Sequence, residues 1–147
     1  MKYFGVVLLI KHPSIDPAVI SSELKLEAFR SWKAGESRAT PTGTPLPGTW
    51  RDSSWNHVFS YKGERKFFDE IRQLLIQLLP HKDFLLKISN EGGRVEIYLQ
   101  LPGDLNQGSS AEPAMLKEMA ELGLYLGVEV FPEWGDDPRN TVGVTRR

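Results

Sequence analysis

The residues best suited to contact another molecule are three tryptophans that lie among basic side chains between residues 30 and 55. Tryptophan and arginine dominate the energetic hot spots of protein interfaces. Large aromatic side chains also complete hydrophobic cores, so the segment has two interpretations. The candidate partner-binding residues are Arg30, Trp32, Lys33, Glu36, Trp50, Arg51 and Trp55, with Arg38 as a further cation in the segment.

Aromatic rings beside cations can also stack on RNA bases. The chain carries a net charge of −1, however, whereas proteins that bind polyanions usually have a clear basic excess. No aromatic strand of the RNA-recognition type is visible in the sequence. We therefore expect no nucleic acid partner.

The histidines His12, His57 and His81 do not have the spacing of a metal site. None forms an HxH or HxxxH pair, and the chain has no cysteine. A metal ion needs three or four converging ligands, so we predict no metal site. His12 and Asp16 could meet across a turn, where a solvated or capping role is favoured.

Motifs for nucleophilic or cofactor chemistry are absent. The sequence has no Gly-x-Ser-x-Gly elbow, and its glycines form neither a P-loop nor a dinucleotide fingerprint. The acidic residues Glu133, Asp136 and Asp137 are interpreted as a solvated run. We predict no catalytic residue and no cofactor. The alternative is a small hydrolase or ligand-binding protein that uses Glu36, Asp52 and His57, which lie in or beside loop-like sequence.

Composition indicates one soluble domain. The 147 residues are 40% hydrophobic and 25% charged, which is ordinary for a globular protein. The apolar run near the N-terminus covers only about eight residues, too few to span a bilayer. Lys11-His12-Pro13 follows it in place of a small-residue cleavage site. We predict a cytoplasmic protein that does not associate with membranes.

The elements that would position the candidate residues begin with a strand at 3–11, apolar on both alternating faces and therefore central in a sheet. A helix at 17–25 follows, because Asp16 is a good N-cap and Pro17 suits the first helical position. We predict a weak strand at 28–33, a Pro- and Gly-rich loop at 34–49, and a strand at 49–59.

The second half contains the clearest helix, which ends before Pro80. Its predicted buried stripe is Phe67, Ile71, Leu74, Leu75 and Leu78.

Alternating apolar residues then predict strands at 84–88 and 95–101, joined as a hairpin by the turn at 90–93. A third helix would run from a cap at Ser110 to about Leu122, with Met115, Leu116, Met119 and Ala120 inward. Gly123 would end it in the left-handed conformation. The last strand has Leu124, Leu126, Val128 and Val130 on one face.

The predicted order is therefore β-α-β-β-α-β-β-α-β. It favours an α+β sandwich, a mostly antiparallel sheet with about three helices packed on it. The first six elements follow ferredoxin-like order. We assign residues 1–134 to a single domain and residues 135–147 to a polar C-terminal tail.

Short motifs over about residues 3–131 carry a family resemblance. They are Ile15-Asp16-Pro17-Ala18-Val19-Ile20, Trp32-Lys33-Ala34-Gly35-Glu36, Gly48-Thr49-Trp50, and Ala120-Glu121-Leu122-Gly123-Leu124 ahead of the strand Val128-Glu129-Val130-Phe131. In these motifs the chain resembles the bacterial domain of unknown function 4279 family. The positions that match the recurring ones are Asp16, Pro17, Lys33, Gly35, Glu36 and Trp50.

The resemblance implies no established activity. Members of the family are similar to immunity proteins of bacterial toxin systems, small cytoplasmic domains that bind and block one toxin. Together with the missing catalytic motifs, this similarity leads to our first hypothesis. The protein is a non-catalytic protein-binding domain with a cognate, toxin-like protein partner.

Overall fold

The central strand of the sheet, β1 (Tyr3–His12), is buried on both faces along most of its length. The computed structural model describes residues 3–132. The elements in chain order are β1 (Tyr3–His12), α1 (Pro17–Leu24), β2 (Arg30–Trp32), β3 (Ser37–Ala39), β4 (Pro45–Thr49), β5 (Ser53–Lys62), α2 (Phe67–Leu78), a 3-10 turn (Leu79–His81), α3 (Lys82–Asn90), β6 (Arg94–Pro102), α4 (Pro113–Glu121) and β7 (Leu124–Phe131).

Five strands form one mixed sheet in the order β2-β5-β1-β6-β7, and β3 and β4 form a separate two-stranded ribbon. The pairs within β2-β5-β1-β6 are antiparallel, and β7 is added parallel to β6. The order β2-β5-β1-β6 is that of a ferredoxin-like sheet. The predicted α+β sandwich is therefore confirmed. The ferredoxin-like strand order has β6 as its last strand, whereas the prediction placed a strand at 84–88 in that position.

The predicted strand at 84–88 is wrong, because these residues belong to helix α3. Leu85 and Ile88, spaced three residues apart, are its buried positions. Gly92 and Gly93 end the helix rather than turning a hairpin. Gly92 N–H donates to the Ser89 carbonyl at 3.1 Å and Gly93 N–H to the Ile88 carbonyl at 2.9 Å, the two bonds of a Schellman motif.

The predicted loop at 34–49 contains the ribbon of β3 and β4. Pro45 and Pro47 lie in β4, where a missing N–H is tolerated because the ribbon leaves one edge of each strand free. The predicted strand at 49–59 starts later, at Ser53, and ends later, at Lys62, as β5. This shift leaves Trp50 in the turn between β4 and β5.

The buried stripe predicted for α2 is confirmed at all five positions. Glu70, a charged residue outside this stripe, is buried as well. The Arg65 guanidinium, which is largely exposed, donates a hydrogen bond of 2.8 Å to the Glu70 carboxylate. This bond gives the buried charge a partner.

The predicted third helix, α4, starts at Pro113 and not at a Ser110 cap. Met115 and Met119 are buried as expected, but Leu116 and Ala120 are exposed. Gly123 follows the helix with φ +70°, as predicted. The predicted tail at 135–147 and the domain boundary at 134 lie outside the described residues. Across residues 3–132, none of the helices is long and apolar enough to cross a bilayer.

One prediction concerns Tyr61, which stacks on Phe4 with 5.0 Å between the ring centroids. Burial, and then the nearby Glu70 carboxylate, raise the pKa of Tyr61 from 10.0 to about 12. An unfolded chain releases this proton near the lower pKa, whereas the folded chain keeps it up to the higher one. The free energy of unfolding should therefore fall as the pH rises between these two values.

Urea midpoints at about pH 9 and about pH 11 would measure this effect, since an unperturbed tyrosine titrates between them. The Tyr61→Phe variant should lose less stability over this interval than the wild type. Equal losses in both proteins would show that Tyr61 ionises as it does in the unfolded chain.

Candidate functional site

The indole rings of Trp32 and Trp50 stack face to face beside the edge of the sheet. Their centroids are 4.1 Å apart and the ring planes differ by 14°. The guanidinium carbon of Arg30 lies 5.3 Å from the Trp32 ring, and that of Arg38 lies 5.4 Å from the Trp50 ring. The gap between the rings is too narrow for a guanidinium, so both arginines lie outside it. These four residues are called the tryptophan stack below.

A tight turn at residues 33–36 lies directly after Trp32. Gly35 has φ +88°, a conformation that glycine adopts without strain. Glu36 N–H donates to the Lys33 carbonyl at 3.1 Å. Lys33 N–H in return donates to the Glu36 carboxylate at 2.9 Å. The side chain of Glu36 therefore closes the turn that its own backbone helps to form.

Backbone hydrogen bonds attach this turn to Trp50. Gly35 N–H donates to the Trp50 carbonyl at 2.8 Å, and Trp50 N–H donates to the Glu36 carbonyl at 2.9 Å. Ala34 N–H donates to Ser53 Oγ at 3.0 Å, which anchors the turn to the start of β5. The relative position of the two indoles is thus fixed by backbone groups rather than by stacking alone.

Two grooves flank the tryptophan stack, and Trp32 and Glu36 line both. The larger has a volume of about 600 Å³ and lies between β2 and the ribbon. It is lined by Phe29, Arg30, Ser31, Trp32, Glu36, Ser37, Ala39, Thr40, Pro41 and Trp50. The smaller, of about 360 Å³, lies beside the start of α1 and is lined by Asp16, Pro17, Ala18, Ser21, Ser31, Trp32, Lys33 and Glu36.

The larger groove runs along the edge of β2. Successive side chains of a strand point to opposite faces, so a groove on one face would touch only every second residue. This groove touches residues 29–32 consecutively. Within the described chain β2 pairs with β5 alone, so its other edge is unpaired and faces the groove.

The comparison with family models identifies the family. The model of a domain of unknown function, DUF4279, matches residues 1–131. The chain belongs to this family. No curated protein and no solved structure shows a significant similarity to it.

The positions behind the predicted DUF4279 resemblance have local structural roles in this fold. Asp16 accepts a hydrogen bond from Ala18 N–H at 3.0 Å as the N-cap of α1, and Pro17 opens the helix. Gly35 and Glu36 form the turn, and Trp50 pairs with it. Several of these residues also line a groove, so their structural roles and a binding role are compatible.

Two of the predicted contact residues lie apart from the grooves of this DUF4279 domain. Trp55 is fully buried, and its Nε1–H donates to Ser21 Oγ at 2.9 Å, so it belongs to the core and cannot contact a partner directly. Arg51 is exposed but lines neither groove. The structure therefore brings together Arg30, Trp32, Lys33, Glu36 and Trp50.

The charges of the site are mainly positive. Arg30 is partly buried, and this desolvation lowers its pKa from the usual value. It remains charged, because arginine stays protonated at any physiological pH. Arg38 Nη1 donates to the Pro47 carbonyl at 3.4 Å, which holds it along the ribbon. Cations beside partly buried indoles suit the recognition of acidic or polar groups on a partner surface.

The alternative catalytic set is not gathered in these grooves. Of Glu36, Asp52 and His57, only Glu36 lines either of them. His57 Nδ1 donates to the Glu27 carbonyl at 2.6 Å. In the described part of the chain, no three His, Asp or Glu side chains converge as a metal site would require.

His12 has a capping role, one of the two roles that the sequence favours for it. Its Nδ1 accepts hydrogen bonds from Ser14 N–H at 3.0 Å and Ile15 N–H at 2.9 Å. Its Nε2 donates to the Glu91 carboxylate at 2.9 Å. The histidine thus ties the turn after β1 to the end of α3.

Proposed function

We propose that this DUF4279 domain is a non-catalytic protein-binding domain whose contact surface is the tryptophan stack with its two grooves. The observation that carries the proposal is the stack itself: two partly buried indoles, fixed by backbone hydrogen bonds, with an arginine on the outer side of each. Tryptophan and arginine are the residue types most enriched among interface hot spots.

The rigidity of the stack supports this proposal. Binding costs free energy for each side chain that must be ordered at the interface, by about 0.5–1.5 kcal/mol. Trp32 and Trp50 already hold each other in place, and the turn at 33–36 is closed by its own hydrogen bonds. Little ordering is left for a partner to impose.

The unpaired edge of β2 supports a particular mode of contact. An extended segment of a partner can add to a free strand edge, where backbone hydrogen bonds give affinity and neighbouring grooves give specificity. The larger groove runs along this edge between Arg30 and the ribbon. We therefore propose that the partner inserts an extended segment there.

We further propose that the partner is a toxin and that the domain neutralises it in the cytoplasm. This step rests on the similarity of DUF4279 members to immunity proteins. A neutralising domain needs an interface but no catalytic group, which agrees with the missing catalytic motifs in the sequence.

The experiment is to co-purify the tagged protein with the products of neighbouring genes, and to measure affinity for any stoichiometric partner by calorimetry. Arg38→Glu and Trp50→Ala should each weaken binding by about thirty-fold or more, the effect of losing a hot spot of about 2 kcal/mol. Ile76→Ala is the matched control, since it removes an exposed apolar side chain from α2 instead.

Urea melts of all variants would separate loss of binding from loss of fold, and Arg38→Glu changes an exposed residue outside the core. Recovery of no stoichiometric partner from the native host or from neighbouring gene products would contradict the proposal. Equal affinity of the wild type and Arg38→Glu would place the interface elsewhere.

A further inference from the structure

The second edge of the sheet, strand β7, has a surface unlike that of the tryptophan stack. In the described chain β7 pairs only with β6, over its whole length from Leu124 to Phe131. Within residues 3–132, no strand pairs with its other edge between Tyr125 and Val130, so a further strand can pair with the backbone groups there. Proteins usually protect such edges with short strands, prolines or lysines.

β7 carries none of these protections. It is eight residues long, contains no proline and no lysine, and has Glu129 as its only charged residue. The side chains on one of its faces are unusually exposed for their type. They are Leu126 at 38%, Val128 at 55% and Val130 at 57%. The strand thus combines an unpaired edge with an apolar stripe that the helices leave uncovered.

We propose that this edge binds a second copy of the chain, strand β7 against strand β7, in an antiparallel pair about a two-fold axis. The strand is complementary to itself in this arrangement. With Val128 on the axis, Leu126 lies opposite Val130 of the second copy, on the same face of the sheet. The apolar stripes of the two copies then become one.

The charge pattern agrees with self-pairing. Glu129 lies opposite Gly127 of the second copy in this register, so the two carboxylates do not face each other. If one strand shifted by one residue, its apolar side chains would lie on the opposite face of the joined sheet from those of the other copy. The favoured registers are therefore those that place both apolar stripes on the same face.

The other edge of the sheet favours a closed dimer over a fibre. A head-to-tail assembly would need β7 of one copy to pair with β2 of the next. β2 is only three residues long, so it can pair with a short segment but with less than half of an eight-residue strand. When two β7 strands pair, the long edge strand of each copy is covered by that of the other. The two five-stranded sheets then form one continuous sheet.

Sedimentation equilibrium of the wild type over about 1 μM to about 1 mM, the range of weak specific affinities, tests the proposal. The mass should rise from the 16.6 kDa of one chain to twice that value. Val128→Lys, which puts a charge at the centre of the edge, should weaken the dimer at least tenfold. Ile76→Lys should dimerise as the wild type does, because it changes a residue of similar exposure, 56%, on α2.

A wild type that stays monomeric over the whole range would overturn the proposal, and so would Val128→Lys with the wild-type dimer constant. Masses that grow beyond the dimer would overturn the closed two-fold arrangement.

Amide hydrogen exchange of the wild type supplies a test that does not depend on how well a variant folds. Protection in residues 124–131 should increase at high protein concentration, and unchanged protection there would overturn the assignment to β7.

Discussion

Leu75→Ala should lower the free energy of unfolding by about 2–5 kcal/mol, the range for a buried leucine truncated to alanine. Leu75 is almost completely buried, on the stripe of α2 that faces the sheet. Its removal leaves a cavity that its neighbours can fill only in part. The loss is large beside the roughly 5–15 kcal/mol that stabilises a typical domain. Urea unfolding followed by circular dichroism would measure it.

Gln73→Ala is the control on the opposite face of the same helix. Gln73 is exposed, and the substitution should change the free energy of unfolding by less than about 0.5 kcal/mol. Alanine also keeps helix propensity high, so no backbone effect obscures the comparison. Equal urea midpoints for the two variants would show that the buried face of α2 is assigned wrongly.

Gly93→Ala should be at least as damaging, by about 3 kcal/mol or more, the upper end of the range for overpacking. A β-carbon at this position would lie 2.5 Å from the Lys11 carbonyl oxygen and 2.7 Å from the Ile88 carbonyl oxygen. Both obstacles are backbone atoms, which cannot rotate away as a side chain can. The Gly93 N–H also bonds to the Ile88 carbonyl, so relief of the clash would disrupt the end of α3.

Gly108→Ala is the matched control for this prediction. Gly108 does not have a positive φ, and a β-carbon there would meet no atom within 4 Å. Its substitution should leave the thermal midpoint nearly unchanged, while that of Gly93→Ala falls by many degrees. A fall of similar size in both variants would contradict the assignment of the cost to the clash, because Gly→Ala acts through the unfolded chain only to stabilise a protein.

The parts of the fold with an unambiguous apolar period were predictable from the sequence. The stripe of α2 repeats at helical spacing with polar residues between, and β1 is apolar on both faces, which only a central strand requires. Asp16 and Pro17 likewise marked the start of α1 by their own side-chain chemistry.

Helix α3 was misassigned because its apolar residues are adjacent. Residues 84–86 are all apolar, so a period of two through Phe84 and Ile88 and a helical spacing from Leu85 fit equally well. The pair Gly92 and Gly93 is equally typical of a hairpin turn and of a helix end. Only the packing of Leu85 and Ile88 into the core decides between them.

The candidate site was predictable as a segment but not as a surface. Residue types located it between Arg30 and Trp50, yet they could not distinguish Trp55, which is core, from Trp32 and Trp50, which stack. Arg38 lies over the Trp50 ring only because β3 and β4 pair as a ribbon. Residues 34–49 were interpreted as a loop, and their sequence does not predict that this pair of strands forms.

The position of β1 has a consequence for how the chain reaches this fold. β1 is synthesised before both of its neighbours, and its Gly5 pairs with Gln100 of β6, in the second half of the chain. Its apolar side chains remain without their final partners until β5 and β6 have been made. Such distant pairings raise contact order and slow folding. Until then the nascent chain exposes its most apolar strand, and exposed apolar surface of this kind makes partly folded chains prone to aggregation.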